Sequence, residues 1–453
     1  MMKGGLIGKS GQSTLELLVA IAVITLTMSA VISVSFGNQS ISVDTQLSTS
    51  AVLKARELAE IAKANARTNF SGLSSSSSND GAYLLETVVE TLSNYEKKVT
   101  SRVSWQTDPL RSQKIEFTTI VTDWITLLNE GGGGGLTGQW NNPQTAGQID
   151  LGPGNQGNDL VIKDKTVFVA ASASSSAKDD FYSIDVTNIN SPVKLASINT
   201  GEGLKSFALM GNYVYAAQND GVSQLQIVNV TNPSGPSLVT SATMQGNSND
   251  GLSVFALDNY AYIGSESSSG AEFQIFDVTD PENPIFKGSK EIGADVNDIY
   301  VFRNRAYLAT SKSDAEIIIL DISNPAAPAQ IGKFDGTGGA GFSVFVNGFN
   351  TFFAGIGDNF IIFDSVNLNS IVAKGSFNAN GSVNDLYIRD YLAFLATSNS
   401  NSEFQAVNVT NETSPVLHSS FNFSQVGTGI IYKDNVVYIS VRSNDALRIV
   451  TSQ

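Results

Sequence analysis

Residues 276–281 read Phe276-Asp277-Val278-Thr279-Asp280-Pro281, and residues 320–325 read Leu320-Asp321-Ile322-Ser323-Asn324-Pro325. In each, an apolar run ends in an acid, then a β-branched residue, a hydroxyl, a second acid or amide, and a proline. An apolar run that stops on turn formers reads as a strand followed by a tight turn. The same anchor recurs at Asp185, Asn229, Asp277, Asp321, Asp364 and Asn408, with steps of 44, 48, 44, 43 and 44 residues. The copy at Asp364-Ser365-Val366-Asn367 lacks the proline.

A period of about 40–50 residues suits a propeller blade of four strands. One cell shows the logic, with strands expected at Val254–Leu257, Tyr260–Gly264, Phe273–Val278 and Ile285–Ile292. Eight of the 11 prolines fall in the turn before the last strand, where a missing N–H costs no ladder bond. A last cell, Ile430–Lys433, Val436–Val441 and Leu447–Val450, lacks its turn and fourth strand. The missing piece is expected at the front, where Asn142-Pro143 precedes Ala146–Leu151. The two ends then share one blade, and residues 139–453 form a closed all-β ring of seven blades.

Working outward to the whole chain, 453 residues suggest two or three folded units. The absence of Cys and the single His, His418, exclude thiol nucleophiles, disulfide scaffolds, Cys-ligated zinc and any site that needs two imidazoles. Charged residues make up 15%, so the surface is polar mainly through Ser, Thr, Asn and 40 Gly. The net charge of -15 opposes binding to nucleic acid, and no nucleic-acid partner is expected.

All prolines lie at or beyond Pro109, which leaves the first hundred residues free to be helical. The chain starts with a short basic stretch (Lys3, Lys9), then Gly11, Gln12 and Glu16, and 20 uncharged residues from Leu17 to Phe36. As a helix this run would span about 30 Å, the thickness of a bilayer core. A cleavable secretory signal would put small residues near Ser29–Ser35. Against it stands Glu16, a carboxylate at the mouth of the apolar run and therefore a functional candidate. Val43, Leu47, Val52, Leu53, Leu58, Ile61 and Ala62 continue at three- to five-residue steps, so one helix is expected over 12–67. Gly72–Gly81 is Ser-rich and reads as a connection, Ala82–Val99 as a further helix or loop, and Val99–Trp105 with Lys114–Trp124 as a hairpin. Five glycines, 131–135, read as a tether within a linker 131–138.

The leader, with Gly11, Gln12 and Glu16, resembles the type IV pilin superfamily and its class III signal peptide. The resemblance implies cleavage between Gly11 and Gln12 by a prepilin peptidase, methylation of the new N-terminus, and filament assembly through Glu16 with other pilin subunits. It covers about residues 1–130: a leader 1–11, a helix 12–67 with its transmembrane part at 17–36, and a small head 68–130. The implied fold there is α+β, a long N-terminal helix plus a small antiparallel sheet. Gln12 departs from the commoner bacterial Phe. The repeats resemble the LVIVD-repeat β-propellers, which implies the architecture of 139–453 but no particular activity.

In such a ring the loops between second and third strands, and those entering the inner strand, surround one channel mouth. The former are expected at Ser172–Asp180, Gln218–Ser223, Ser265–Gly270, Ser311–Ala315, Gly355–Asn359, Ser398–Ser402 and Arg442–Asp445, and none joins a nucleophile to a base. His418 reads as a surface residue on an outer strand. Positions entering the inner strands are Asp159, Lys205, Ser253, Asp298, Ser343, Asp385 and Gly429. The acids with Ser253 and Ser343 make a candidate ring for a cation or cationic ligand. Their placement in blades one, four and six, and local capping of each Asp, count against it. Asn247, Asn249, Asp250 and Gly251 only hint at a calcium loop. The sequons at Asn229, Asn408 and Asn411 are by-products of the repeat.

These readings lead to a non-enzymatic, surface-displayed minor pilin or pilus-tip adhesin without a cofactor, its propeller binding an external glycan or protein. The alternatives are a membrane-tethered propeller hydrolase or lyase, and a pseudopilin of a secretion system.

Overall fold

The structure is a computed structural model that describes residues 25–29, 46–66, 70, 72–91, 96–108, 111–122, 136, 138–173, 175–336, 339–347 and 351–452. The chain divides into two compact units, Met1–Leu128 and Asn129–Gln453.

In the first unit the expected α+β layout built on a long helix is overturned. Described helix is confined to 25–29 and 46–66, and strand far outweighs helix in the described chain. Ser76–Asp80, Tyr83–Thr91, Glu96–Asp108 and Arg111–Thr122 form a four-stranded antiparallel meander in that order. The segment read as a further helix or loop is thus mostly strand, and the Ser-rich connection supplies an exposed edge strand. Leu84 to Val89 alternate by two, with Leu85, Thr87 and Val89 on the face that carries the buried Tyr83, and β-branched residues favour that pleat over a helix. The helix at 46–66 lies against the sheet through Ala51, Ala55, Ala59 and Ala62, spaced so that small side chains share one stripe. Ala51 and Ala55 pack with Tyr83, Val103 and Trp105, Ala62 packs with Val99, and the Tyr83 hydroxyl donates to the Leu47 carbonyl at 3.1 Å. No helix among the described residues is long and apolar enough to cross a membrane. Gly11, Gln12, Glu16, most of Leu17–Phe36 and the glycines 131–135 lie outside the described residues.

The second unit is a propeller of seven four-stranded antiparallel sheets. Blades 1 to 7 take their inner strands from Asn155–Lys163, Leu204–Met210, Gly251–Leu257, Val296–Phe302, Gly341–Val346, Val383–Arg389 and Gly427–Lys433. In blade 7 the outermost strand is Pro143–Ile149, paired with Leu447–Ser452, so the two ends of the unit share one sheet. Second and third strands are buried almost throughout, as Tyr213–Gln218 and Leu225–Asn229 show, whereas outer strands alternate with solvent.

The repeated motif owes its composition to two consecutive turns. Asp277 Oδ1 accepts the Thr279 N–H at 3.0 Å, and three residues on Asp280 Oδ1 accepts the Glu282 N–H at 3.1 Å. Asn229 with Asn232, Asp321 with Asn324, and Asn408 with Asn411 do the same. The degenerate copy keeps both bonds through Asp364 and Asn367 without its proline. Side-chain acceptors two residues upstream of an N–H are what Asp and Asn supply best in turns. Gly288 of the outer strand is needed where this turn of the next blade packs, since a Cβ there would sit 2.4 Å from the Pro325 carbonyl oxygen. Gly147 makes the same approach to Ile189 and Pro192, between blade 7 and blade 1.

Candidate functional site at the propeller channel

Each inner strand leaves one edge without a neighbouring strand, because its sheet continues only outward. Unpaired edge N–H and C=O groups facing a channel need other partners. Each inner strand carries a β-bulge near its start, and in six of the seven blades the side chain just past the bulge bonds to the next blade. In register these positions are Asp159, Ser206, Ser253, Asp298, Ser343, Asp385 and Gly429. Ser206 therefore replaces Lys205 in the expected set, and Lys205 is the bulge residue itself.

The three acids behave alike. Asp159 Oδ1 accepts its neighbour Leu160 N–H at 2.7 Å, and Oδ2 accepts Phe207 N–H of blade 2 at 2.7 Å. Asp298 takes Ile299 and Val344 N–H, both at 2.8 Å, and Asp385 takes Leu386 and Ile430 N–H, both at 2.7 Å. The preceding bulge asparagine completes each clamp. Asn158, Asn297 and Asn384 donate through Nδ2 to the carbonyls of Leu204, Gly341 and Gly427 at 2.6, 2.7 and 2.7 Å. Three Asn-Asp pairs thus tie blade 1 to 2, 4 to 5, and 6 to 7. Sequence reasoning missed the paired role, although its signal is present: Asn-Asp occupies the same cell position three times. Local capping accounts for one oxygen of each acid and the neighbouring blade for the other.

Serines make lighter ties. Ser253 Oγ donates to Val296 O at 2.8 Å, and Ser343 Oγ donates to Val383 O at 3.2 Å. Gly429 leaves room for Asp159, whose Oδ1 lies 2.9 Å from where a Cβ would stand. Across the blade 7 to 1 seam, Thr428 Oγ1 donates to Gly157 O at 2.9 Å.

The acids of blades one, four and six are not isolated from one another. On an ideal seven-fold ring the steps between them are about 154°, 103° and 103°, a nearly even distribution around the axis. Burial pushes the Asp159 carboxyl up to about 6 and the Asp298 carboxyl up to about 7, the latter also raised by Asp159. Asp385 is held well above the ordinary carboxyl range by burial, then by the charges of Asp159 and Asp298. By accessible surface each is half-buried. Two residues further along, Phe255, Tyr300, Phe345 and Tyr387 form an aromatic belt with ring centroids 5.1, 5.1 and 5.3 Å apart. Blades 1, 2 and 7 carry Val161, Ala208 and Ile431 there.

A carboxylate ring over an aromatic belt favours cations, by charge and by the negative faces of the rings. Among the described residues, however, no three His, Asp or Glu side chains come together closely enough to hold a metal ion. In the Asn247–Gly251 loop, Asn247 donates to Ser265 Oγ at 2.6 Å and accepts Asn249 N–H at 2.9 Å, so its polar atoms serve the loop.

His418 does lie on an outer strand, Val416–Phe421, but it is half-buried and Nε2–H donates to the Gln139 carbonyl at 2.6 Å. Beside it Ser419 Oγ donates to Trp140 O at 2.5 Å. Trp140 is fully buried against Phe394, Phe404 and Tyr432, with Nε1–H donating to Asn435 Oδ1 at 3.2 Å. These residues anchor the segment that leads into the closing strand.

Three segments, 205–243, 250–291 and 293–336, match the LVIVD repeat. No curated protein matches the sequence. Among solved structures, the chain is similar to the WD40 β-propeller domain of Doa1, at 13% identity and TM-score 0.52 over 69% of this chain and 98% of that one. It is also similar to a chain of the mitotic checkpoint complex, at 14% identity and TM-score 0.54 over 70% of this chain and 95% of that one. A third is the Cps50 (Swd1) propeller domain of Myceliophteria thermophila, at 9% identity and TM-score 0.53 over 69% of this chain and 100% of that one. At these identities the likeness is one of fold. The protein is a β-propeller with LVIVD repeats.

Proposed function

We propose that this chain is a surface-displayed minor pilin or pilus-tip adhesin whose propeller binds an external glycan or protein. The observation that carries the binding half is the channel mouth. There the carboxylates of Asp159, Asp298 and Asp385 and the hydroxyl of Ser206 all bond to backbone N–H groups of adjacent inner strands, and the surrounding loops are polar through Ser, Asn and Asp. Propeller folds host many activities, so the site rather than the fold must argue the role. A rigid ring that presents short polar loops supports recognition rather than bond-breaking chemistry.

The display half rests on Gly11, Gln12, Glu16 and the uncharged run Leu17–Phe36. A prepilin peptidase would cut after Gly11, and Glu16 would then meet the new amine of a neighbouring pilin, since a carboxylate in an apolar setting needs a cationic partner. The protein would be held in the membrane before assembly and at the cell surface afterwards. Expression of the full chain in a piliated host tests both halves. Glu16→Ala should remove it from sheared filaments and Gly11→Ala should leave the leader uncut, while a glycan and cell-binding screen with wild type should return a saturable ligand. Incorporation of Glu16→Ala at the wild-type level sinks the display half. A screen without a ligand but with measurable hydrolysis or elimination sinks the binding half.

A further inference from the structure

We propose that the three Asn-Asp clamps form one pH-sensitive lock: the channel acids hold blades 1 to 2, 4 to 5 and 6 to 7 together best in acidic surroundings and loosen as pH rises toward neutrality. This inference does not depend on what the mouth binds.

The geometry carries it. Each acid uses one oxygen on its own strand and the other on the next blade, so the group that titrates is also the group that joins two blades. Three such groups face one channel, where like charges oppose one another through protein rather than bulk water. The groups acting on them are the Ser206 hydroxyl on Asp159, the acids on one another, and backbone N–H groups. In the belt, Tyr300 feels Tyr387 and Asp298, and Tyr387 feels Arg389 and Tyr432. From the remaining inner strands come the hydroxyls of Ser253, Ser343 and Thr428 and the bare Gly429.

Three of the four cations of the inner strands bond or stack elsewhere. Lys163 Nζ donates to Asn212 Oδ1, Lys433 Nζ donates to Asp164 O at 3.0 Å, and Arg389 lies over the Tyr432 ring at 5.7 Å. Lys205 acts on Glu266. Protons are therefore what relieve the ring's mutual repulsion.

The sign follows from linkage. A carboxyl whose folded pKa is raised binds its proton more tightly in the closed form than in the opened one. Its contribution to closure is complete below the ordinary carboxyl range and is lost as pH rises from about 4 to the folded value. For Asp159 and Asp298 that window ends near 6 and 7. At the four other seams, Ser206, Ser253, Ser343 and Thr428 carry no charge in this range and supply an internal reference.

Hydrogen exchange of the full chain, read by mass spectrometry from pH 5 to 8.5, tests the lock. Peptides that cover Phe207, Val344 and Ile430 are compared with those covering 251–257, so that the chemical pH dependence of exchange cancels. The ratio of protection should fall by about tenfold or more as pH rises from 5 to about 7. In the triple variant Asp159→Ser, Asp298→Ser, Asp385→Ser, which places in all three clamps the residue other blades already use, the ratio should stay constant. A constant wild-type ratio, or the same fall in the variant, overturns the proposal. If the triple variant does not fold, Asp298→Ser alone decides: the fall at Phe207 and Ile430 should become shallower, because one of three repelling charges is gone. An unchanged fall there refutes the coupling.

Discussion

Asp385 Oδ2 accepts the backbone N–H of Ile430 at 2.7 Å, a bond between residues 45 positions apart that ties the inner edge of blade 6 to that of blade 7. Its counterpart Asp298 to Val344 does the same for blades 4 and 5. An inner strand cannot pair across the channel, so a side chain of the neighbouring blade satisfies its edge.

Asp298→Ala removes the acceptor of two N–H groups at once, those of Ile299 and Val344. Leaving a shielded donor unmatched costs about 1–3 kcal/mol. Chemical denaturation of the propeller should show a lower midpoint with an unchanged slope, and Asp298→Ser should recover part of the loss.

Ring closure depends on Trp140. Truncation of a fully buried aromatic costs about 3–5 kcal/mol, and here it also frees Asn435 Oδ1. Trp140→Ala should lower the propeller's melting temperature and expose the closing strand Pro143–Ile149 to limited proteolysis before the middle blades are cut.

Ser183 occupies a fully buried place on the third strand of blade 1, where Ile227 and Ile275 stand in blades 2 and 3, and its Oγ has no hydrogen-bond partner. Removing an unmatched buried polar atom recovers its desolvation cost. Ser183→Ala should therefore be neutral or stabilising by up to about 1 kcal/mol, as read by denaturant midpoint.

Gly288→Val would drive side-chain atoms into the Pro325 turn, since even a Cβ lies 2.4 Å from that carbonyl oxygen. Overpacking of this kind costs about 1–3 kcal/mol. The destabilisation should appear as a lower denaturant midpoint of the propeller.

The turn acids respond to pH in the direction opposite to the channel acids. Hydrogen bonds to the side chain and backbone of Thr187, Thr279 and Ser323 hold Asp185, Asp277 and Asp321 below the ordinary carboxyl range. A depressed folded pKa contributes stability above about pH 4 that is lost as pH falls through the folded value. Thermal stability of the propeller should therefore decline below about pH 4, and Asp277→Asn should make that decline shallower.

The blades were legible because each is a local object. Anchors such as Asp277 and Asp321 bond residues two positions away, so turn chemistry and a period of 43 to 48 residues were written in the linear order. Alternation at Leu84–Val89 was equally legible in principle, but the absence of proline before Pro109 weighed toward helix, and the tertiary sheet prevailed. The site was less legible. Asp159, Asp298 and Asp385 could be named as inner-strand residues, while the shift from Lys205 to Ser206 required the bulge register, which strand pairing alone defines.

By itself the sequence determined the turns, the number of blades and the sharing of the last blade between the two ends, because these depend on bonds within a few residues and on a repeated pattern. Only the tertiary structure decided that the Asn-Asp pairs clamp neighbouring blades, that acids three and two blades apart stand at equivalent places around one ring, and that His418 and Trp140 anchor the entry to the closing strand. Those relations arise between residues 43 to 295 positions apart, brought together by ring closure rather than by spacing along the chain.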